Sequence, residues 1–126
     1  MSLSNINRLF FALAIIWTII IFWLSSSPDA QGLGGLAILD FLPYKDKFVH
    51  AGIFGLLAIL LRLANFKIWQ ALLISSAYSI SDEFHQYFIE GRASDIFDWL
   101  ADTSGAIVAL GLMNFFTIGN IANKKR

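Results

Sequence analysis

From Leu9 to Leu24 the chain carries no charged residue. Extended by Ile6 and Ser25, this run approaches the roughly 20 apolar residues that a helix needs to cross a hydrocarbon core. Inside lipid a backbone must satisfy its own polar groups, so such a run is read as a helix over about 6–25. A cleavable signal peptide is the competing reading, with Arg8 as its basic start and Ser25-Ser26-Ser27 as its small-residue site. The run slightly exceeds a usual signal core, and Pro28 sits badly at a cleavage point, so the segment is expected to be retained.

Three more apolar stretches follow. The second, about 46–63, holds His50 and ends near Arg62, with Pro43 upstream as a helix entry signal. The third, about 68–88, is apolar to Ile74 and then studded with Ser75, Ser76, Ser79 and Ser81 before Asp82 and Glu83. The fourth, about 95–118, carries Asp95, Asp98 and Asp102 early. Further along it places Gly105, Ala106, Ala109 and Gly111, small residues suited to close helix contact. Asn65 marks the link between the second and third stretches, and Gly91 the turn between the third and fourth. The longest connection holds Pro28, Gly32, Gly34 and Gly35, then Leu36 to Leu42, a piece able to lie on a membrane surface. The expected fold is all-α: a polytopic four-helix transmembrane bundle, one domain over residues 1–126.

Composition agrees, with 57% of residues hydrophobic and 14% charged, too apolar for an ordinary soluble domain of this length. Nine basic and nine acidic residues cancel, which argues against nucleic acid as a partner. The absence of cysteine excludes thiolate metal sites and cysteine nucleophiles. With four spans both termini share one side. That side receives Arg8, Arg62, Lys67, Lys124, Lys125 and Arg126, leaving Lys45, Lys47 and Arg92 opposite. The positive-inside rule then makes the termini cytoplasmic in a cell membrane. All the acids, from Asp29 and Asp40 to Asp102, fall toward the outer side.

Helical spacing groups the polar residues. Asp46 and His50 are four apart. Ser75, Ser79, Asp82, Glu83 and Gln86 share an arc of about 100°, and Asp95, Asp98 and Asp102 one of about 60°. At about 1.5 Å per residue Asp82 lies roughly 9 Å below Phe88, a depth similar to that of Asp102. A carboxylate in lipid costs at least about 2.5 kcal/mol, so these groups are expected to face a bundle interior. The pocket so inferred opens outward, is walled by the second, third and fourth helices, and has Arg92, Lys45, Lys47 and His50, with His85 as a further candidate, as its cations or donors. His85 falls off the stripe and reads as a solvated or headgroup contact, and Lys45 and Lys47 read as interfacial anchors. Ser75, Ser76 and Ser79 are expected to bond to their own helix, and the fourth-helix glycines to pack.

At Asp46-Lys47-x-x-His50, Asp82-Glu83-Phe84-His85-Gln86, Gly91-Arg92 and Asp95-x-x-Asp98 the sequence resembles the VanZ-like membrane protein family. The likeness runs from about Pro43 to Leu112. Where that family usually has asparagine-threonine, this chain reads Asp102-Thr103. The resemblance implies a cell-envelope role, because the namesake is linked to low-level resistance to teicoplanin, a lipid-tailed glycopeptide.

Two functions are set against a purely structural pairing of these groups. In the first, Asp46, His50, Asp82, Glu83, Gln86, Arg92, Asp95, Asp98 and Asp102 bind a cationic or amphiphilic molecule. Such a partner is a lipoglycopeptide or a lipid-linked cell-wall intermediate, reached among membrane lipids. In the second, an intramembrane enzyme acts on a lipid-linked phosphate or glycosyl group. His50 or Glu83 is then the general base, Asp82 and Asp98 are acid or metal ligands, and Arg92 is the phosphate clamp. Oxygen ligands with an imidazole suit a divalent metal as cofactor.

Overall fold

The computed structural model describes residues 2–26 and 45–124, with side chains described over 2–26 and 46–117. The long connection with Pro28, Pro43 and Leu36 to Leu42, the acids Asp29 and Asp40, and the final Lys125 and Arg126 lie outside the described residues, as do the side chains of Lys45 and Lys124. Four helices and no strand occur among the described residues: α1 (Leu3–Ser25), α2 (Lys45–Leu63), α3 (Ile68–Gln86) and α4 (Ile96–Lys124). Two segments, Leu3–Ser25 and Ile96–Thr117, are long and apolar enough to cross a membrane.

The helix ends follow local chemistry. Helix α1 starts earlier than expected because Ser2 caps it, accepting from the Asn5 N–H through Oγ at 3.4 Å. Helix α2 closes at Asn65, whose φ of 76° is left-handed. The Phe66 N–H reaches back to the Leu61 carbonyl and the Asn65 N–H to that of Arg62, the paired bonds of a Schellman motif. Helix α3 ends at Gln86 rather than at Phe88, where short-range bonds from Phe88 to His85 and from Ile89 to Gln86 tighten the chain into a turn. Gly91, at φ 81°, completes that turn, and the Arg92 N–H bonds to the Ile89 carbonyl. Asp95 sits just before α4 instead of inside it, its Oδ1 accepting from the Phe97 N–H at 2.9 Å.

Helices α2 and α4 approach most closely. A Cβ built on Gly105 would lie 2.1 Å from the Ala51 carbonyl oxygen, and one on Gly55 3.1 Å from that of Gly105. Ala51 and Gly55 on α2 face Gly105 and Ala109 on α4, so four-residue spacing of small side chains on both helices brings backbone to backbone. Gly111, expected to pack, takes no part in this contact: a Cβ added there would meet nothing within 4 Å among the described residues. Helix α1 is fastened by Trp17, whose Nε1 donates to the Ile53 carbonyl at 3.0 Å, and by Tyr78, whose hydroxyl donates to the Thr18 carbonyl at 2.6 Å.

The core is small and aliphatic: Ala14 and Ile21 of α1, Phe54, Leu57, Ala58 and Leu61 of α2, Ala71 of α3, and Ala106 and Leu110 of α4. Large apolar side chains stand exposed on every helix, including Ile19, Trp23, Leu56, Leu73, Phe84, Val108 and Phe115. Asp82, Glu83, Gln86, Asp98 and Asp102 are buried. Apolar outside and ionisable inside reverses the arrangement of a water-soluble domain.

Candidate functional site: a buried carboxylate and imidazole cluster

The end of α1, the start of α2, the end of α3 and the start of α4 meet at one end of the molecule, where the polar side chains gather. Asp102, 1% exposed, accepts from the Ser79 hydroxyl at 2.5 Å through Oδ2, and its Oδ1 lies 3.1 Å from His50 Nδ1. A carboxylate only accepts, so the imidazole donates in this pair. Asp82 accepts from Ser25 Oγ at 2.5 Å and from Gln86 Nε2 at 2.9 Å. Glu83 Oε2 accepts from Ser94 Oγ at 3.1 Å and from the Asp95 N–H at 2.9 Å. Its other oxygen, Oε1, is buried and has no hydrogen-bond partner among the described residues.

Lys47 joins α2 to α4. Its Nζ bonds Asp95 Oδ2 at 2.9 Å, contacts Asp98 Oδ1, and lies 3.5 Å from the exposed Asp46. It is thus tied into the cluster instead of serving as the expected interfacial anchor, because two carboxylates from the start of α4 and the residue before it face the α2 start. Asp95, outside the helices, has its carboxyl held below the ordinary aspartate range, first by the Phe97 N–H and then by Lys47. Asp46 touches no other member of the group among the described residues. Arg92 faces α1, where its guanidinium donates to the Leu24 carbonyl at 3.0 Å while Nε stays buried without a partner among the described residues.

Several sequence expectations need correction. Ser76 bonds Thr103 Oγ1 at 2.9 Å and accepts from Trp99 Nε1, Ser79 bonds Asp102, and Ser75 Oγ has no partner among the described residues. Ser76 and Ser79 turn away from their own helix because a hydroxyl or carboxylate on α4 lies within reach. His85 is paired inward, its Nε2 2.9 Å from Ser26 Oγ and its ring stacked on Phe22 with centroids 4.4 Å apart. The wall also includes α1, which supplies Ser25 and the Leu24 carbonyl, with Ser26 just past its end. The serines at the end of the first apolar run were the only sequence sign of that contribution.

A groove of about 650 Å³ runs along the seam of α2 and α4, and among the described residues no cluster residue lines it. It passes from Phe48 and Ser104, which lie close to His50 and Asp102 in sequence, down to Ile59 and Met113, and its lining is almost wholly apolar.

The class of protein so defined is an apolar-surfaced helical assembly with buried carboxylates and an imidazole at one end, and its long apolar helices support a membrane protein. The chain belongs to the VanZ/LLP1 family, whose model matches residues 10–117. No curated protein and no solved structure matches it.

Proposed function

We propose that this chain is a single-domain, multi-pass protein of the cell membrane with four spans, both termini in the cytoplasm, and an outward site for an amphiphilic molecule of the cell envelope. The polar part of that molecule meets His50, Asp82, Glu83, Gln86, Arg92, Asp95, Asp98 and Asp102, with Asp46 at the rim. Its hydrocarbon tail lies between α2 and α4. Lipid-tailed glycopeptides of the teicoplanin kind and lipid-linked cell-wall intermediates have this shape.

The observation that carries the reading is that the two helices which supply His50 and Asp102 also form the apolar groove lined by Ala51, Gly55, Gly105 and Ala109. A polar cluster and an apolar groove built on the same two helices fit a molecule with one polar end and one apolar end. The basic residues support the orientation, since Arg8, Arg62 and Lys67 lie at the end opposite the cluster.

Binding of a fluorescent lipid-tailed glycopeptide and of its tailless counterpart to the protein in lipid nanodiscs tests this. Asp82→Asn and Asp102→Asn should each weaken the tailed compound at least tenfold, and Val108→Trp should fill the groove and do the same. Unchanged binding in all three variants removes the proposal. A reporter fused after Arg126 tests the orientation, which an external reporter would overturn.

A second reading, an intramembrane enzyme acting on a lipid-linked phosphate or glycosyl group, is favoured by the His50–Asp102 pair. A carboxylate that fixes one imidazole nitrogen leaves the other oriented as a base. Turnover of polyprenyl phosphates by the purified protein tests it, and an inert protein rejects it.

A further inference from the structure

Within the cluster, His50, Glu83 and Asp102 each offer one ligand atom, and these three atoms lie within 4.8 Å of one another. They come from α2, α3 and α4, so no local motif announces them. In a tetrahedral site with metal bonds of about 2.0–2.1 Å, neighbouring donor atoms sit roughly 3.3–3.5 Å apart, a spacing that small side-chain rotations reach from here.

A second observation is independent of the clustering. Glu83 is 7% exposed and its Oε1 has no partner among the described residues, although a buried carboxylate oxygen left bare is costly. Its sister oxygen is fixed by Ser94 and the Asp95 N–H, so the side chain is held in place while one oxygen stays available. Charge points the same way. Lys47 is engaged by Asp95 and Asp98, and among the described residues no lysine or arginine pairs with Glu83 or Asp102. Two buried carboxyl groups facing one imidazole supply the counter-charge that a doubly charged cation needs.

We propose that His50, Glu83 and Asp102 form a binding site for a divalent cation of the zinc type, three protein ligands leaving a fourth position open. Ser79, which donates to Asp102, and Ser94, which donates to Glu83, orient the ligands from behind. The inference rests on the reading of this cluster as the functional site, and it names the cluster's inorganic ligand.

The test uses the full chain in lipid nanodiscs, stripped with a chelator and titrated with zinc chloride alone by calorimetry. No amphiphile is present, so failure here is separate from failure of the head-and-tail proposal. One equivalent should bind, Glu83→Gln should lower affinity at least tenfold, and Glu90→Gln, an exposed carboxylate in the turn after α3, should bind as the parent does. X-ray absorption of the zinc-loaded parent should show nitrogen and oxygen ligands with the outer-shell scattering of an imidazole. This second measurement decides the matter if Glu83→Gln loses its helical circular dichroism. Absence of saturable zinc binding, an unchanged affinity in folded Glu83→Gln, or a ligand shell without imidazole overturns the proposal.

Discussion

Gly105 lies so close to Ala51 that a Cβ on the glycine would stand 2.1 Å from the alanine's carbonyl oxygen. The obstacle is backbone, which cannot rotate aside as a side chain does. Gly105→Ala must therefore push α2 and α4 apart, at about 1–3 kcal/mol by the usual cost of overpacking. Gly111→Ala, in open space, should be neutral or gain up to about 1 kcal/mol from helix propensity. Thermal unfolding in detergent compares the two, and equal midpoints would contradict the close approach.

Asp102 holds groups from two other helices, and its replacements should rank accordingly. Asp102→Ala leaves the Ser79 hydroxyl and the His50 ring without their acceptor and should cost about 3 kcal/mol or more. Asp102→Asn keeps an acceptor oxygen and should cost distinctly less. Denaturant unfolding monitored by tryptophan fluorescence gives the order, and the ranking fails if the asparagine variant is the less stable.

Ser25 tests the share of α1 in the cluster. Ser25→Ala removes one of the two donors to Asp82 and leaves Gln86 in place, a loss of about 1 kcal/mol. Ser26→Ala should cost less, because its hydroxyl is only part-buried where it meets His85. If Ser25→Ala is silent in the same unfolding measurement, α1 does not close the site as described.

Asp95 sets a pH dependence. Its carboxyl titrates below its unfolded value because the Phe97 N–H and Lys47 favour the charged form. A lowered folded pKa means the stabilisation is complete above the ordinary aspartate range, about 3.9, and fades as pH falls through the folded value. The difference in melting midpoint between the parent and Asp95→Asn should thus be larger at pH 7 than at pH 3. A constant difference would show that the charge on Asp95 contributes nothing.

Much of this arrangement was legible in the sequence because two simple periodicities govern it. Long apolar runs marked the four helices, and three- and four-residue spacing put Ser79, Asp82, Glu83 and Gln86 on one buried face of α3. What spacing within one helix does not encode is the partner across the gap. Ser76 and Ser79 looked like residues that bond their own helix until α4 placed Thr103 and Asp102 opposite them. Ser25 and Ser26 looked like the end of an apolar run, and only the packing of α1 on α3 turns them toward Asp82 and His85. The small residues of α4 were visible, but Ala51 and Gly55, which decide that Gly105 packs and Gly111 does not, lie on a separate helix far upstream.

The bond from Lys47 to Asp95 spans 48 residues of sequence, and this has a consequence during synthesis. At about 5–20 residues per second, α2 emerges roughly 2–10 s before its acidic partners exist. For that interval the lysine and the imidazole of α2 must be sheltered by water or by the insertion machinery, so slowing translation between α3 and α4 should lengthen the nascent chain's exposure to quality-control proteases.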